Sequence, residues 1–238
     1  MVKDGPEMSL NNVIVRKGSF ALHAEGRIGP GVHLITGVIG AGKTTLGELI
    51  AGIIRQERGN LVWTGNNRVM LMQDAGFHIS TTTVFKEAES WKVDPDKVIS
   101  SAGLFEKRNS DLLQLSRGEL RRLVLTAILA RNDDLVVLDE PFAGLDDKAG
   151  KWVSRQISMR TEKITVIISH SITMLPDVDR IWEMRDGKLY DLGIMPIPLT
   201  KWVRAPMLIR YLNKAGHPPS GLSRTLLEEA ACRTRESD

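Results

Sequence analysis

The segment "GVIGAGKTT", residues 37–45, constrains the fold of this chain more than any other feature. The apolar run "VHLIT" precedes it, and the helix-forming run "TLGELIAGII" overlaps its end. A glycine-rich loop between a strand and a helix is typical of a phosphate-binding loop, whose backbone N–H groups surround the β-phosphate of a nucleotide. In that interpretation Lys43 contacts the β- and γ-phosphate oxygens, and the Thr44 hydroxyl binds Mg²⁺. The alternative is a glycine-rich turn that contains a lysine by chance.

The pattern of apolar runs predicts an α/β fold around this loop. Four runs are predicted to be strands: residues 32–37, 67–73, 134–140 and 164–170. Continuous apolar runs are typical of strands covered on both faces, as in a parallel sheet between layers of helices. The first thirty residues predict short antiparallel strands, and residues 59–65 predict a further strand. The stretch between Gln73 and Ser116 is polar and mostly helical, which predicts an inserted helical lobe.

Polar residues end three of the predicted strands, at the edge where open α/β sheets bind ligands. After "LVVL", Asp139 is predicted to hold the Mg²⁺ shell and Glu140 to act as general base toward the attacking water. Gln73 is predicted to sense Mg²⁺ and that water, and His170 to contact the γ-phosphate. Two alternatives stay open. The acidic pair can cap a helix beginning near Pro141, and a single glutamine or histidine is more often a structural hydrogen-bonding residue.

The run "QLSRGELRRLVLTAILA", residues 114–130, predicts a helix that begins like a second phosphate seat. Small residues and free N–H groups at its start, around Ser116 and Gly118, suit an anion. One nucleotide in a domain of this size does not need two such seats. An ordinary capped helix is the alternative, with Ser116 as N-cap and Glu119 closing a capping box. The two interpretations are compatible.

Composition limits the class of protein. A net charge of +3 and 42% hydrophobic residues are ordinary for a globular chain, and the charge is too small to argue for a nucleic-acid partner. The single cysteine, Cys232, excludes an internal disulfide. The N-terminal "MVKDGPEM" lacks the apolar run of a signal peptide, and no apolar run reaches the eighteen or so residues of a membrane span. We therefore expect an intracellular protein that does not cross a membrane.

Six ordered motifs between about residues 13 and 187 resemble those of ABC-type ATPase domains: the phosphate loop, Gln73, "LSRGE", "LVVLDE", "GLD" (residues 144–146) and His170. The resemblance implies the P-loop NTPase fold of that family: a parallel sheet core, an antiparallel β subdomain and a helical lobe. It also implies ATP and Mg²⁺ as cofactors, with Glu140, His170 and Gln73 catalytic and Thr44, Gln73 and Asp139 near the metal. The whole loop would bind the nucleotide: Gly37, Val38, Ile39, Gly40, Ala41, Gly42, Lys43, Thr44 and Thr45.

The resemblance also answers the question of the second seat. In ABC ATPases two subunits sandwich two ATP molecules head to tail, and the signature helix of one contacts the γ-phosphate bound to the other. The signature residues Ser116, Arg117, Gly118 and Glu119 would therefore serve the partner's nucleotide. The sequence departs from the family at Arg117, where a second glycine is usual, and at Glu119, where glutamine is commoner. The aromatic residue that stacks on adenine has no obvious equivalent beyond Phe20, with Arg16 as a substitute.

The tail of the chain resembles the C-terminal extension of energy-coupling factor ATPases. We expect an ATPase domain over residues 1–190 with its helical lobe at about 74–120, a linker over 191–204, and a helical extension over 205–238. Pro206 suits the start of the first tail helix, Gly216 its end, and Thr225 with Glu228 a capping box on the second. The predicted apolar face of the first helix is Met207, Leu208, Tyr211 and Leu212, and that of the second includes Leu226, Leu227 and Ala230. These faces need cover, either from a partner, as a dimerisation element, or from the chain's own domain.

Energy-coupling factor systems take up vitamins or transition-metal ions such as cobalt and nickel. The resemblance implies a homodimer, or a heterodimer with a paralogous ATPase, on the cytoplasmic face of the membrane. That pair would dock on a transmembrane coupling subunit, which meets a membrane substrate-binding subunit. Asp74, Glu87 and Glu89 are candidates to receive basic residues of the coupling subunit. The alternatives are an ATPase of another ABC importer or exporter, and a non-transport ABC ATPase acting on nucleic acid or ribosomes. Non-transport members of the family need a long coiled-coil insertion or two tandem ATPase domains, and this sequence shows neither.

Overall fold

The computed structural model describes residues 5–236. The strands are β1 (Met8–Lys17), β2 (Phe20–Ile28), β3 (Gly31–Gly37), β4 (Arg58–Trp63), β5 (Arg68–Leu71), β6 (Leu135–Asp139), β7 (Ile164–Ile168), β8 (Arg180–Arg185) and β9 (Lys188–Gly193). The helices are α1 (Lys43–Ile50), α2 (Val84–Ser90), α3 (Pro95–Ser101), α4 (Arg117–Ala130), α5 (Asp147–Ser158), α6 (Met207–Lys214) and α7 (Arg224–Glu236). Short 3-10 helices occupy Ala75–His78, Phe105–Lys107 and Leu112–Gln114.

The strands form one nine-stranded mixed sheet in the order β4-β1-β2-β9-β8-β3-β7-β6-β5. From β8 to β5 every neighbour is parallel. Strands β1, β2 and β4 pair antiparallel, and β9 joins the two regions by pairing antiparallel with β8 and parallel with β2. The predicted α/β fold with a parallel core and an antiparallel β region is therefore confirmed, with both regions in a single sheet.

The parallel strands are buried on both faces, as their continuous apolar runs predict. In β6, Val136 and Leu138 belong to one hydrophobic cluster, together with residues of α4 and α5. Leu135 and Val137 belong to a second cluster with residues of α1, β1 and β2. Alternate residues of a strand point to opposite faces, so each strand contributes to both cores. The parallel strands thus pack against α4 and α5 on one face and against α1 on the other.

The residues between β5 and α4 form a small lobe with its own core. Val84, Val98 and Leu104 are buried there with Leu123 of α4. Glu87 is also fully buried. A buried polar group needs hydrogen-bond partners inside the protein. The partners of Glu87 therefore show what this side chain does.

Glu87 is a structural residue of the lobe and not a docking residue. One carboxylate oxygen accepts from the Ser80 and Thr81 backbone N–H groups, both at 3.0 Å, and from the Thr81 hydroxyl at 2.9 Å. The other accepts from Trp91 Nε1 at 3.1 Å. The prediction that Glu87 receives basic residues of a membrane partner is therefore wrong. Asp74 and Glu89 are exposed.

Several boundaries differ from the predicted ones. Strand β5 ends at Leu71 and β7 at Ile168, so Gln73 and His170 lie in the loops beyond the strands. Strand β9 runs to Gly193, and the segment after it buries Ile197 and Trp202. Residues 191–204 are therefore not a free linker, because this segment continues the sheet and then packs on the core.

The tail helices pack on the chain's own domain. Ile209 and Leu212 of α6 and Ala230 of α7 are fully buried in the same cluster as residues of α4 and α5. Met207 and Tyr211 are exposed, so the predicted apolar face of α6 is wrong in all but Leu212.

The ends of the tail helices only partly match the prediction. Gly216 ends α6 with a positive φ of 81°, as predicted. Helix α7 begins at Arg224, so Thr225 lies inside it and the predicted capping box does not form. Glu228 instead accepts a 2.7 Å hydrogen bond from Arg224. Within the described part of the chain, no helix combines the length and the apolar character that a bilayer span requires.

Candidate nucleotide site

The phosphate loop connects β3 to α1 and needs its glycines for two different reasons. Gly40 and Gly42 have φ values of 80° and 100°, in the left-handed region that favours glycine. A Cβ at Gly42 would also lie 2.5 Å from the Phe20 ring. Phe20, a candidate for stacking on adenine, therefore packs half-buried beside the loop. Arg16, the other candidate, is exposed and lies 3.7 Å from Glu57.

Lys43 lies against the loop that it follows. Its ammonium donates to the Gly37 and Val38 carbonyl oxygens, both at 2.9 Å. Burial lowers the pKa of Lys43, while Glu140 and Asp139 raise it. The side chain of Ile39, at the crest of the loop, is 96% exposed. The loop therefore offers backbone N–H groups and one ammonium to a ligand, while the side chains of Val38 and Ile39 are exposed.

Thr44 and Asp139 form the oxygen-rich part of the site. The Thr44 hydroxyl donates to Asp139 Oδ2 at 2.8 Å, and Asp139 is buried at the end of β6. Burial raises the pKa of Asp139, and the hydrogen bond from Thr44 opposes the rise. A hydroxyl and a carboxylate are hard oxygen ligands that suit Mg²⁺, which takes few protein ligands when phosphates supply others. The residues present therefore fit this ion.

Glu140 is fixed by hydrogen bonds to its carboxylate and to its backbone. Its Oε1 accepts from His170 Nδ1 at 2.6 Å and from the His170 backbone N–H at 3.0 Å, and its Oε2 from the Ser169 hydroxyl at 3.0 Å. The Glu140 backbone N–H donates to the Ile168 carbonyl at 2.9 Å. Its φ of 50° is unusual for a residue with a side chain, a conformation that persists only where the surroundings impose it. The structure thus joins the predicted Glu140 and His170 directly.

Two residues of the site were not foreseen from the sequence. Ser169, between β7 and His170, orients the Glu140 carboxylate. Arg121, inside the apolar run of α4, donates to the Gln73 and Asp139 backbone carbonyls at 2.7 and 2.8 Å. A polar residue directly after a buried strand was an available signal for Ser169. An arginine within a helix gives no comparable signal, since helix arginines are usually exposed.

The signature segment begins α4 with the predicted capping box. Ser116 Oγ accepts from the Glu119 backbone N–H, and Glu119 Oε2 accepts from the Ser116 backbone N–H at 2.9 Å. Glu119 Oε1 also accepts from Lys107 at 2.7 Å. The Lys107 hydrogen bond, with those from Ser116, lowers the pKa of Glu119 to about 2. The cap does not occupy the backbone N–H groups of Arg117 and Gly118, which remain available to an anion.

Two signature residues, Arg117 and Gly118, line a cleft that extends to Thr44 at the end of the phosphate loop. It has a volume of about 660 Å³, and its lining includes Thr44, Gln73, Arg117, Gly118, Arg121 and Gly144. The Arg117 side chain is exposed and makes no hydrogen bond or ion pair within residues 5–236. Gly118 approaches the "GLD" loop, where a Cβ on Gly118 would lie 3.1 Å from the Gly144 carbonyl. The guanidinium of Arg117 and the N–H groups at the start of α4 therefore border the same cleft as Gln73.

The chain is similar in sequence to known ATP-binding proteins. A family model described as "ABC transporter" matches residues 28–143. The chain is 30% identical over 191 residues to a "Putative ABC transporter ATP-binding protein" of Pyrococcus horikoshii, and the match covers 68% of this chain and 73% of that protein. The chain belongs to the ABC transporter family. As a member of that family, matched to its ATP-binding proteins, the chain is an ATPase domain.

The chain is also similar to other ABC proteins. It is 27% identical to the "Putative hemin import ATP-binding protein HrtA" of Staphylococcus aureus, over 66% of this chain and 84% of that protein. It is 29% identical to a "Putative ABC transporter ATP-binding protein" of Treponema denticola, and spans 35% of that protein's length. A dimeric, post-hydrolysis structure of the ATP-binding cassette MJ0796 with ADP and Pi matches the fold at a TM-score of 0.65 and 19% identity, over 78% of this chain and 98% of that one.

Proposed function

We propose that the chain is the ATP-hydrolysing subunit of a membrane transporter, and that two copies close on two ATP molecules to drive it. The observation that carries this proposal is the second anion seat. The N-terminus of α4 offers free N–H groups of Arg117 and Gly118 in addition to the complete phosphate loop of the same chain. A head-to-tail dimer gives this second seat a γ-phosphate to bind.

In this proposal each residue of the site has one task. The phosphate loop and Lys43 bind the β- and γ-phosphates. Thr44 and Asp139, with Gln73 beside them, would hold Mg²⁺, which neutralises charge on the phosphates when bound. Glu140 accepts the proton of the attacking water. His170, which is 73% exposed beside Glu140, faces the position of the γ-phosphate.

The transported solute is proposed from the tail. The two short helices α6 and α7, joined through Gly216 and a proline pair, favour an energy-coupling factor system that takes up a vitamin or a transition-metal ion. The partners would then be a transmembrane coupling subunit, which contacts the lobe near Asp74 and Glu89, and a membrane substrate-binding subunit. The chain would act at the cytoplasmic face of the membrane.

A second candidate is another ABC importer or exporter, and the relative named for hemin import favours it. Purification of the tagged chain from membranes, with its partners identified, separates the two. A small coupling subunit with a separate substrate-binding membrane protein supports the first candidate. A pair of membrane subunits that contain the whole translocation path supports the second.

The substitution Glu140→Gln tests the proposed hydrolysis. The variant should bind MgATP normally but turn over ~100-fold or more slowly, because an amide cannot accept the proton of the water. With hydrolysis stalled, ATP should trap a dimer in size-exclusion chromatography with light scattering. Lys43→Ala is the matched control, because it should lose nucleotide binding and therefore remain monomeric. Near-normal turnover by Glu140→Gln would remove Glu140 as the general base.

A further inference from the structure

Arg121 connects the signature helix to the catalytic edge of its own subunit. It lies on the same face of α4 as Arg117, one helical turn further along. It is 7% exposed, and its guanidinium reaches three backbone carbonyls outside α4. Two belong to Gln73 and Asp139, at 2.7 and 2.8 Å, and the third, in close contact, belongs to Glu140.

These acceptors are catalytic positions rather than arbitrary backbone. Gln73 follows β5, Asp139 ends β6 and Glu140 comes directly after it, so the guanidinium joins two neighbouring strand ends. The rest of Glu140 is already fixed, with its N–H on the Ile168 carbonyl and its carboxylate on Ser169 and His170. Arg121 adds a contact between α4 and the backbone carbonyl of Glu140. The position of Glu140 is thereby tied to that of α4.

The geometry requires an arginine. A guanidinium presents its donors in a rigid plane, so two nitrogens can serve carbonyls that one ammonium cannot reach together. Burial lowers the pKa of Arg121, and Asp139, Glu140 and Asp74 raise it. The Nε–H is buried and has no hydrogen-bond partner within the described residues. A charged group is thus kept in a costly position, which is expected where it holds a site in place.

We propose that Arg121 is a positioning residue that couples the signature helix to the general base of the same chain. The proposal rests on the proposed function. When α4 moves to engage the nucleotide of the partner subunit, Arg121 carries the shift to the backbone of Gln73 and Glu140. Hydrolysis in one site then depends on the engagement of the same chain's signature helix in the other site.

The first test compares two buried arginines in the full chain. Arg121→Lys should lower kcat for ATP by about tenfold or more and change KM by less than about threefold, because nucleotide binding does not use the guanidinium. Arg160→Lys is the matched control. Arg160 is also buried and donates to the Asp133 carbonyl at 2.7 Å and to Thr165 at 3.1 Å, away from the catalytic strand ends. It should lose melting temperature without losing kcat per folded molecule.

A double-mutant cycle gives the decisive measurement. If Arg121 acts through Glu140, Arg121→Lys should slow wild type strongly but leave the residual single-turnover rate of Glu140→Gln unchanged within about twofold. The coupling is overturned if the rate losses of Arg121→Lys and Glu140→Gln multiply in the double variant. It is also overturned if Arg121→Lys keeps the wild-type kcat, or if Arg121→Lys and Arg160→Lys lose kcat equally.

Failure of this inference is distinguishable from failure of the proposed function. If wild type neither binds nor hydrolyses ATP, the proposed function fails. If wild type hydrolyses ATP and the cycle is multiplicative, only the role of Arg121 fails. Should Arg121→Lys not fold, Arg121→Gln, which keeps one amide donor for these carbonyls, enters the same cycle with the same criteria.

Discussion

Glu119 shows how a single departure from the family motif is accommodated. The carboxylate stands where glutamine is commoner, and it accepts hydrogen bonds from Lys107 and from the backbone of Ser116. A negative charge in the first turn of α4 also interacts favourably with the helix dipole. At the same time it lies beside the proposed γ-phosphate seat, where an unpaired carboxylate would repel ATP. The ion pair with Lys107 reduces that repulsion.

The pH dependence of stability should reveal this carboxylate. Its pKa is about 2 in the folded protein, against an ordinary value of 4.5. Glu119 therefore stabilises the fold fully above about pH 4.5, and loses that contribution as the pH falls toward 2, because the unfolded chain binds the proton first. Glu119→Gln should be less stable than wild type by about 0.5–1 kcal/mol at pH 7, and the difference should shrink below pH 4.5.

Urea unfolding at a series of pH values checks this prediction. Glu106→Gln is the control, since Glu106 is exposed in the same lobe and makes no ion pair within the described residues. Its stability difference from wild type should stay near zero at every pH. A Glu119→Gln difference that does not depend on pH would contradict the assignment.

Residues at the strand ends could be predicted from the sequence, whereas residues that act through tertiary contacts could not. Asp139 and Glu140 follow an apolar run whose burial is visible in its composition. Glu87 looked like a surface acid because its donors, Ser80, Thr81 and Trp91, come together only when the lobe folds. The acceptors of Arg121 are also brought to it only by folding, but from much farther along the chain, up to 48 residues away.

At the scale of elements, the tail is part of the domain's core. Helices α6 and α7 share a buried cluster with α4 and α5, and Trp202 is fully buried beside them. The sequence predicted two amphipathic helices but could not say which surface covers them. The structure assigns Ile209 and Leu212 to the chain's own core. Met207 and Tyr211 remain as the exposed face that we propose for contact with a partner.

Two substitutions on α6 separate the core-facing side from the exposed side. Leu212→Ala should destabilise the monomer by about 2–5 kcal/mol, because it leaves a cavity in the core. Tyr211→Ala should change monomer stability by less than about 0.5 kcal/mol, because Tyr211 is exposed. Thermal unfolding checks both values. If the exposed face pairs subunits, Tyr211→Ala should also weaken the ATP-trapped dimer of Glu140→Gln, and unchanged dimer affinity would show that the tail only braces its own domain.

The hairpin of β8 and β9 shows a signal that sequence analysis passed over. Asp186 and Gly187 both have positive φ, at 47° and 77°, as a two-residue hairpin turn requires. The Asp-Gly pair between two β-forming runs predicts such a turn. The parallel pairing of β8 with β3 could not be predicted in the same way, because it joins segments far apart in the sequence.

In the complete assembly, the proposed function requires a nucleotide site that two subunits form together. Each subunit offers a phosphate loop at one position and the start of α4 at another. In the proposed two-fold dimer the loop of one copy would meet the signature of the other, so each site would contain parts of both chains. The Arg121 contact would then make each site sensitive to the state of its neighbour.

Mixing two inactive variants tests this shared site most directly. Lys43→Ala removes the phosphate loop function and Ser116→Arg blocks the signature, so each variant alone should be nearly inactive. In a mixed dimer one site combines the intact loop of Ser116→Arg with the intact signature of Lys43→Ala. Half of the dimers are then mixed, and each has one intact site of two, so a 1:1 mixture should regain a rate clearly above either variant alone, with a ceiling of about a quarter of the wild-type ATPase rate. The Arg121 coupling would lower the rate below that ceiling, because the chain that supplies Glu140 to the intact site carries the blocked signature. If mixed dimers form, as shown with two different affinity tags, and the rate stays at the level of the single variants, the shared-site account is contradicted.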